Sequence, residues 1–540
     1  MQRLVKTIEK LDDDLNGVAF AGGKKYVVGR TLPGETAELK IRKISGNAVL
    51  CNAEKIIVPS EKRIQPPCAY YEKCGGCSLL HTDYDNTLAI KTALVKRKFS
   101  SLGFYDVSDT VGNGICGARN KVHIAFFKEN GKTKAGFFNE ETHRVCDVRK
   151  CILHGEWYKK LREILVRWID GQNISVYNPA TGKGVLRFAA GRKIGDELML
   201  TLVQTRTTDA DYENLYRELK KQFGEVSLYV NVNAEKTNAV FSDKFIHIAG
   251  NKTLNGEICG VKFKLGPNSF FQVNTETASE IYNKVVDEVR GSNADKVIDL
   301  YSGIGVTSAL FAKNGFQVES VEIVSAAVEN AESLAKDNGV KGIKFHTGDV
   351  NAIICGLSFD NAVVFADPPR AGTEKETAEA IATKKPDKII YLSCNLKTLL
   401  PDLKVIIENG YEIRSVIPYD MFPAPRHVET LVVLSHKKPD SHIEVKIDFD
   451  NTSLDKSAIA ERAEKRKPKD KPTYKDIQDW VEKNYGFKVH TAYIAEVKRN
   501  EGLPMYEAPN AVEELKRPRS HPTAEMVEPI KDALKHFGII

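Results

Sequence analysis

Four polar segments follow successive apolar runs in the second half of the chain. They are Asp299-Leu-Tyr-Ser-Gly-Ile-Gly305, Glu322, Asp349 and Asp367-Pro-Pro-Arg370. If the runs form parallel strands, the segments meet at the carboxyl edge of one sheet, where open α/β folds bind ligands. Glycines let a ligand approach the backbone closely, and a carboxylate after the second strand can accept hydrogen bonds from ribose hydroxyls. Their order favours S-adenosylmethionine, whereas Ser308 in place of a third glycine disfavours a nicotinamide dinucleotide.

A thiol follows the fifth apolar run, since the strand expected there ends at Cys394. Carbon 5 of a uracil ring is too weak a nucleophile to take a methyl group unaided. A thiolate that adds to carbon 6 converts the ring to an enolate whose carbon 5 can attack. A base must then remove the hydrogen of carbon 5, and Glu429 is the candidate. Alone, these residues would be interpreted as a structural cysteine and a surface acid; the ordered series favours catalysis for Cys394 and leaves Glu429 evenly balanced.

Three of the ten cysteines, Cys68, Cys74 and Cys77, lie within ten residues. With a fourth thiolate they can ligate either a tetrahedral zinc ion or an iron–sulfur cluster. Zinc ribbons usually pair two CxxC knuckles, and this segment has one, but the spacing alone does not choose between the metals. Cys116, Cys146 and Cys151 are the candidates for the fourth ligand.

The 540 residues are 42% hydrophobic and 28% charged, which is typical of a soluble globular chain of several domains. The net charge of +6 permits nucleic-acid binding without requiring it. No signal peptide or membrane-spanning run is expected. The sequence therefore predicts a cytoplasmic protein with reduced cysteines, no membrane contact and no obligate protein partner.

The elements that position these residues indicate a multidomain α/β fold. Residues 1–58 alternate short apolar runs with glycine turns and basic residues, which predicts a small OB-like β-barrel. Residues 59–262 predict a central α+β domain. It contains an amphipathic helix from about residue 84 to 101 and a hairpin that turns at Asn130-Gly131.

Residues 263–438 alternate buried strands with helices, which predicts a doubly wound, Rossmann-like domain with a parallel sheet that ends in an antiparallel hairpin. Residues 439–472 read as a charged linker. Residues 473–540 predict a small helical extension, either a helix-turn-helix module or a packing appendage.

Together these motifs resemble the RNA uracil-5-methyltransferase family, in particular its ribosomal RNA branch. The resemblance covers nearly all of residues 1–436. The motifs that carry it are Asn268-Ser-Phe-Phe-Gln272-Val-Asn274, Asp299-Leu-Tyr-Ser-Gly-Ile-Gly305, Asp367-Pro-Pro-Arg-Ala-Gly372, Ser393-Cys394-Asn395 and His427-Val-Glu429.

The resemblance implies a class I methyltransferase domain, with Cys394 as nucleophile and Glu429 as proton acceptor. It implies that S-adenosylmethionine contacts Gln272, Tyr301, Glu322, Asp349 and Asp367. It also implies that the N-terminal barrel is an RNA-binding TRAM domain. A [4Fe-4S] cluster on Cys68, Cys74, Cys77 and Cys151 is expected from the same resemblance. Val306 stands where the family commonly has Asn.

The expected reaction is 5-methyluridine formation in RNA, with 23S ribosomal RNA as the substrate because that branch combines the barrel with the cysteine cluster. One alternative is the same reaction on the T-loop of transfer RNA. A second is methylation of an exocyclic amine, although Arg370 stands where such enzymes usually place an aromatic residue. A third is a non-catalytic RNA-binding assembly factor, which predicts a disrupted cofactor or thiol site.

Overall fold

The chain divides into two compact units, residues 1–441 and 442–540. The computed structural model describes residues 4–235, 239–437, 474–501 and 523–537. The predicted charged linker, 439–472, lies outside the described residues.

The first unit begins with a six-stranded sheet in the order β1-β5-β6-β4-β3-β2. Its strands are β1 (Leu4–Thr7), β2 (Lys10–Leu11), β3 (Gly17–Ala21), β4 (Lys24–Val28), β5 (Thr36–Ser45) and β6 (Ala48–Val58). Every pair of neighbours is antiparallel except β4 and β6, which run parallel. The prediction of a strand-rich N-terminal module is confirmed. Its assignment as a barrel of the TRAM type stays a prediction.

Helix α1 (Tyr84–Phe99) and a short 3₁₀ turn (Ser100–Leu102) precede the central sheet. Asp83 caps α1 by accepting a hydrogen bond from the Asn86 amide at 2.7 Å. The central sheet has seven strands in the order β13-β12-β11-β10-β7-β8-β9. They are β7 (Lys121–Glu129), β8 (Lys132–Phe138), β9 (Val145–Asp147), β10 (Leu186–Ile194), β11 (Glu197–Gln204), β12 (Glu225–Val232) and β13 (Phe245–Gly250).

Two helices, α2 (Glu156–Gly171) and α3 (Tyr212–Phe223), pack on the central sheet around one hydrophobic core. The predicted hairpin is confirmed, because Asn130 and Gly131 turn between β7 and β8 with φ of 50° and 77°. A second hairpin, β14 (Leu254–Ile258) and β15 (Val261–Leu265), leads to the third sheet.

The third sheet has the order β18-β17-β16-β19-β20-β22-β21. Its strands are β16 (Lys296–Leu300), β17 (Gln317–Glu322), β18 (Ile343–Thr347), β19 (Ala362–Ala366), β20 (Lys388–Ser393), β21 (Tyr411–Tyr419) and β22 (Glu429–His436). Its helices are α4 (Thr275–Arg290), α5 (Val306–Lys313), α6 (Ser325–Asp337), α7 (Val350–Ile354), α8 (Lys375–Thr383) and α9 (Leu396–Glu408). The first five strands are parallel and β22 is antiparallel to both neighbours, so the predicted doubly wound topology is confirmed.

Both faces of this sheet are covered, as the continuous apolar strands predict. In β19, Val363 and Phe365 pack into one hydrophobic core while Val364 and Ala366 pack into another. The strand order reverses between β16 and β19, which opens a crevice at their carboxyl ends.

The second unit contains three described helices, Tyr474–Tyr485, Thr491–Asn500 and Ala524–His536. These helices agree with the predicted small helical extension, and all three share one hydrophobic core. Among the helices of the described ranges, none combines the length and apolarity needed to cross a membrane.

Candidate active site

The glycine loop after β16 forms one wall of the crevice. Gly305 has a φ of 79°, and an added Cβ would lie 2.5 Å from the Cβ of Ala331, so this position requires glycine. An added Cβ on Gly303 would meet no atom within 4 Å, which leaves room for a ligand there. The Gly303 amide donates a hydrogen bond to Oε2 of Glu322 at 2.9 Å. The loop and the predicted ribose carboxylate are therefore brought together.

Asp299, at the end of β16, is a buried carboxylate that the sequence analysis did not count among the site residues. Its Oδ2 accepts hydrogen bonds from the hydroxyls of Thr307, at 2.7 Å, and Ser308. Its Oδ1 is buried without a hydrogen-bond partner. Burial raises the pKa of Asp299 to about 6. An unpartnered acceptor beneath the glycine loop fits a ligand with a cationic or hydrogen-bond-donating group. The position of Asp299 at the start of the glycine motif is the sequence feature that could have identified it.

Gln272 and Asp367 meet on the opposite wall. The Gln272 side-chain amide donates a hydrogen bond to Oδ2 of Asp367 at 3.3 Å. The Asn120 side-chain amide donates a hydrogen bond to the backbone carbonyl of Gln272 at 2.9 Å. Burial raises the pKa of Asp367 to about 7, and the charge of Asp299 adds to the shift. The predicted cofactor residues from two distant segments are thus in contact.

The other two predicted cofactor residues lie at the ends of β16 and β18. Tyr301 takes the left-handed conformation, with a φ of 63°, and burial raises its pKa to about 12. Asp349 caps α7 by accepting a hydrogen bond from the Asn351 amide at 2.9 Å. Val306, in the first turn of α5, is 5% exposed and packs into the hydrophobic core. Position 306 therefore offers a ligand no side-chain polar group.

Cys394 and Glu429 face each other at the same edge of the sheet. Ser393 of β20 pairs with Thr430 of β22, and Cys394 and Glu429 are the next positions on the two strands. Burial raises the pKa of Cys394 to about 11; the charge of Glu429 adds to this shift, and the charge of Arg370 opposes it. Burial also raises the pKa of Glu429, with a further contribution from Asp367. A thiol and a buried carboxyl group are therefore adjacent within one carboxylate-rich site.

Helix α9 begins directly after the thiol. Asn395 caps the helix by accepting a hydrogen bond from the Lys397 amide at 3.1 Å. The amino end of a helix carries a partial positive charge, which favours a thiolate at Cys394.

Comparison with known proteins identifies the family. A family model described as tRNA (uracil-5-)-methyltransferase matches residues 188–348 and 351–437. An uncharacterized RNA methyltransferase of Listeria innocua is 35% identical over 450 residues, which cover 81% of this chain and 98% of that protein. The chain belongs to the RNA uracil-5-methyltransferase family.

A solved structure agrees with this assignment. The crystal structure of Pyrococcus abyssi tRNA (uracil-54, C5)-methyltransferase, in complex with S-adenosyl-L-homocysteine, matches with a TM-score of 0.67 and 28% identity. The match covers 80% of this chain and 99% of that one. A further relative, an uncharacterized RNA methyltransferase of Clostridium tetani, is 36% identical over 76% of this chain and 91% of its own length. These findings confirm the predicted methyltransferase fold and the predicted use of S-adenosylmethionine.

Two residues that the sequence analysis did not assign lie beside the thiol and the base. The guanidinium of Arg370 lies 3.4 Å from Nδ1 of His427. Burial and the neighbouring charge of Arg370 lower the pKa of His427 to about 4, so its imidazole is neutral at physiological pH. Arg370 is exposed and therefore accessible to a large substrate. Arg370 lies in the Asp367-Pro-Pro-Arg370 motif and His427 in the His427-Val-Glu429 motif, and these positions are the sequence feature that could have identified both residues.

Three of the predicted cluster cysteines, Cys68, Cys74 and Cys151, lie close enough to the fourth, Cys77, for their charges to affect it. Burial raises the pKa of Cys77, and the charges of Cys151, Cys74 and Cys68 raise it further. The Gly76 amide donates to the Cys74 sulfur at 3.4 Å, and Nδ1 of His154 lies 3.2 Å from the Cys151 sulfur. Within the described ranges no group of three or more Cys, His, Asp or Glu side chains is placed to hold a metal ion. The iron–sulfur cluster therefore stays a prediction.

Proposed function

We propose that this chain methylates carbon 5 of a uridine in RNA through a covalent bond between Cys394 and carbon 6 of the base. The observation that carries the proposal is the pairing of β20 with β22, which sets the Cys394 thiol beside the Glu429 carboxyl at the cofactor edge of the sheet. An enzyme that methylates an exocyclic amine needs neither group.

The residues that would hold S-adenosylmethionine are Gln272, Tyr301, Glu322, Asp349 and Asp367. S-adenosylmethionine supplies a methyl group on a positively charged sulfur. The carboxylates of Asp299, which is buried, and Asp367, which is half-buried, suit such a cation, and Glu322 suits the ribose hydroxyls. The open space above Gly303 leaves room for the cofactor beside the backbone.

The reaction begins when the Cys394 thiol loses its proton and its sulfur adds to carbon 6 of the uracil. The electrons of the 5,6 double bond move onto the carbonyl oxygen at carbon 4, which gives an enolate. Carbon 5 of the enolate would then take the methyl group as the bond between that group and the cofactor sulfur breaks, which would leave a neutral thioether. Glu429 accepts the proton that remains on carbon 5, the double bond re-forms and the thiolate leaves. Because burial raises the pKa of Glu429, its carboxylate is a stronger base than an exposed glutamate.

Arg370 has two effects that suit this sequence of steps. Its charge favours the thiolate form of Cys394, which burial otherwise disfavours. Together with burial, the same charge lowers the pKa of His427 and keeps it neutral, so the imidazole can accept or donate a hydrogen bond beside Arg370. The exposed guanidinium also suits a phosphate or carbonyl oxygen of the RNA.

The substrate we propose is a single-stranded loop of 23S ribosomal RNA, because carbon 6 of a stacked uridine is out of reach and the base must be swung out. The N-terminal sheet suits RNA binding, since Lys40, Arg42 and Lys43 of β5 are exposed. Transfer RNA is the second candidate, because the Pyrococcus abyssi neighbour is a tRNA (uracil-54, C5)-methyltransferase.

Cys68, Cys74, Cys77 and Cys151 would hold a [4Fe-4S] cluster, in which four thiolates bind the cluster irons. Cys151 is favoured over Cys146 because it packs against two hydrophobic clusters, the one that Cys74 and Cys146 contact and the one that Cys68 and Cys77 contact. Cys146 packs only against the first of these clusters. The hydrogen bond from Gly76 and the contact from His154 fit a group with negatively charged sulfurs.

The decisive experiment uses RNA that carries 5-fluorouridine at the target position. Fluorine cannot leave as a cation, so the wild type should remain linked to this RNA and give a slow band on a denaturing gel. Cys394→Ala should give no band, whereas Glu429→Gln should give a methylated adduct even with ordinary RNA. Cys355→Ala, which removes an exposed thiol elsewhere, is the control and should behave as the wild type. Formation of 5-methyluridine by Cys394→Ala would overturn the mechanism.

Labelled S-adenosylmethionine with unmodified ribosomal and transfer RNA, followed by mapping of the modified base, tests the substrate. Label at a uridine of 23S ribosomal RNA supports the proposal. Label confined to transfer RNA would replace it with the second candidate.

A further inference from the structure

A lysine with no exposed surface lies on helix α1, far from the methyltransferase domain in sequence. Lys91 is 0% exposed, and its Nζ donates a hydrogen bond to Oδ1 of Asp420 at 2.5 Å. It also donates to the carbonyls of Phe422 at 3.0 Å and His427 at 2.8 Å. All three ammonium hydrogens are therefore used, and every acceptor belongs to one loop.

This loop, residues 420–428, joins β21 to β22 and will be called the base loop, because the next residue is Glu429. Asp420 is also 0% exposed and accepts a second hydrogen bond, from the hydroxyl of Tyr84 at 2.9 Å. Its own amide donates to the Val111 carbonyl at 2.8 Å. The first residue of the base loop is thus fixed through both its side chain and its backbone.

The middle of the base loop is held by the segment that follows the cysteines. The Ala424 carbonyl accepts hydrogen bonds from the amides of Ser78 and Leu79, both at 2.9 Å. Ala424 has a φ of 73°, a left-handed conformation that a non-glycine residue keeps only when its surroundings impose it. The base loop is therefore shaped by contacts with residues 78–91 rather than by its own preferences.

A buried ammonium is costly to desolvate, and apolar side chains of similar volume often stabilise a fold equally well. An apolar residue at position 91 could fill the space but could not bind the carbonyls of Phe422 and His427. Those two bonds fix the base loop at Phe422 and at His427, and His427 is only two residues before Glu429. A group displaced by about 1 Å can lose about 100-fold in rate, so this restraint matters most for the step that Glu429 performs.

We propose that Lys91 is a positioning residue that holds Glu429 in reach of the carbon 5 proton through the base loop. This inference rests on the proposed function. It separates two steps of the reaction: the attacking thiol of Cys394 follows β20 and lies outside the base loop, whereas the carboxyl that removes the proton follows the base loop directly. Loss of the lysine should therefore reproduce, in weaker form, the behaviour of Glu429→Gln.

The test is the double variant Lys91→Met/Asp420→Asn, which removes the ammonium without leaving a buried charge and keeps an acceptor for Tyr84. It should bind S-adenosylmethionine as the wild type does and form the adduct with 5-fluorouridine RNA at close to the wild-type rate. Release of methylated ordinary RNA, followed in a single turnover, should slow about 10- to 100-fold. The linked, methylated RNA should accumulate.

The control is Lys388→Met/Glu288→Gln, which removes another largely buried ion pair at the far end of β20. It should release product at the wild-type rate. If the Lys91 variant released product at that rate, or lost adduct formation and release in equal proportion, the positioning role would be wrong. If the wild type formed no adduct with 5-fluorouridine RNA, the proposed function itself would fail.

Discussion

Asp299→Asn should stabilise the ligand-free protein while weakening its affinity for S-adenosylmethionine. Burial raises the pKa of Asp299 to about 6 from an ordinary value of 3.8. Each unit of pKa difference between the folded and unfolded states corresponds to about 1.4 kcal/mol, so the ionised carboxylate lowers the free energy of unfolding by about 3 kcal/mol at pH 8. The asparagine Oδ1 can accept the hydrogen bonds from Thr307 and Ser308. Its Nδ2 then replaces an oxygen that already lacks a partner.

The difference in the free energy of unfolding between the variant and the wild type should increase as the pH rises. Well below pH 3.8 the Asp299 carboxyl is protonated in both the folded and the unfolded state, so its burial there does not lower the free energy of unfolding. The cost appears as the pH rises through 4 to 6, because the unfolded chain ionises first. The stability gap should therefore grow from about 1 kcal/mol at pH 4.5 to about 3 kcal/mol at pH 8.

Thermal unfolding of both proteins between pH 4.5 and pH 8 measures this gap, and calorimetric titration measures cofactor affinity. Asp360→Asn, which changes an exposed aspartate, is the matched control and should alter neither quantity. If Asp299→Asn were less stable than the wild type at pH 8, or if the gap did not shrink toward pH 4.5, the electrostatic reasoning would be wrong. Unchanged affinity for S-adenosylmethionine would remove Asp299 from the cofactor site.

Three further predictions concern the cluster, the N-terminal sheet and the thiol. Protein purified without oxygen should be brown and contain about four irons per chain. Cys151→Ala should lose this iron and Cys146→Ala should keep it. One zinc ion per chain without visible absorption would refute the iron–sulfur cluster. Deletion of residues 1–58 should weaken RNA binding and its salt dependence but leave S-adenosylmethionine binding nearly unchanged, as filter binding and calorimetry can show. The rate of adduct formation with 5-fluorouridine RNA should rise about tenfold per pH unit from pH 6 to 9, because the pKa of Cys394 is raised to about 11. A rate that did not change with pH in single-turnover gels would show that ionisation of the Cys394 thiol does not limit adduct formation.

The strands and turns of the fold were predictable because local sequence determines them. Apolar runs such as Ala362–Ala366 have no exposed face, and a strand of that kind fits only the interior of a parallel sheet. The turn at Asn130-Gly131 needs two positive φ angles, which these residues adopt readily. Three of the predicted cofactor residues, Glu322, Asp349 and Asp367, were proposed by the same logic because each ends or follows a strand, whereas Gln272 and Tyr301 came from the family resemblance.

Contacts between distant segments could not be predicted in this way. Lys91 and Asp420 are 329 positions apart, and the helix pattern of residues 84–101 gives no reason to expect a buried ammonium. The fourth thiol presented the same difficulty, because Cys116, Cys146 and Cys151 are equivalent by spacing. The family resemblance selects Cys151, and the packing of Cys151 against two hydrophobic clusters favours the same choice.

The position of Glu429 shows why the final hairpin matters for chemistry. In a sheet of parallel strands, only residues at the carboxyl ends reach the ligand crevice, and Glu429 lies at the amino end of its strand. Because β22 runs antiparallel between β20 and β21, its amino end lies beside the carboxyl end of β20. A parallel strand at that place would have left Glu429 at the opposite edge. The inserted antiparallel strand therefore lets the base enter the site from the loop that Lys91 binds.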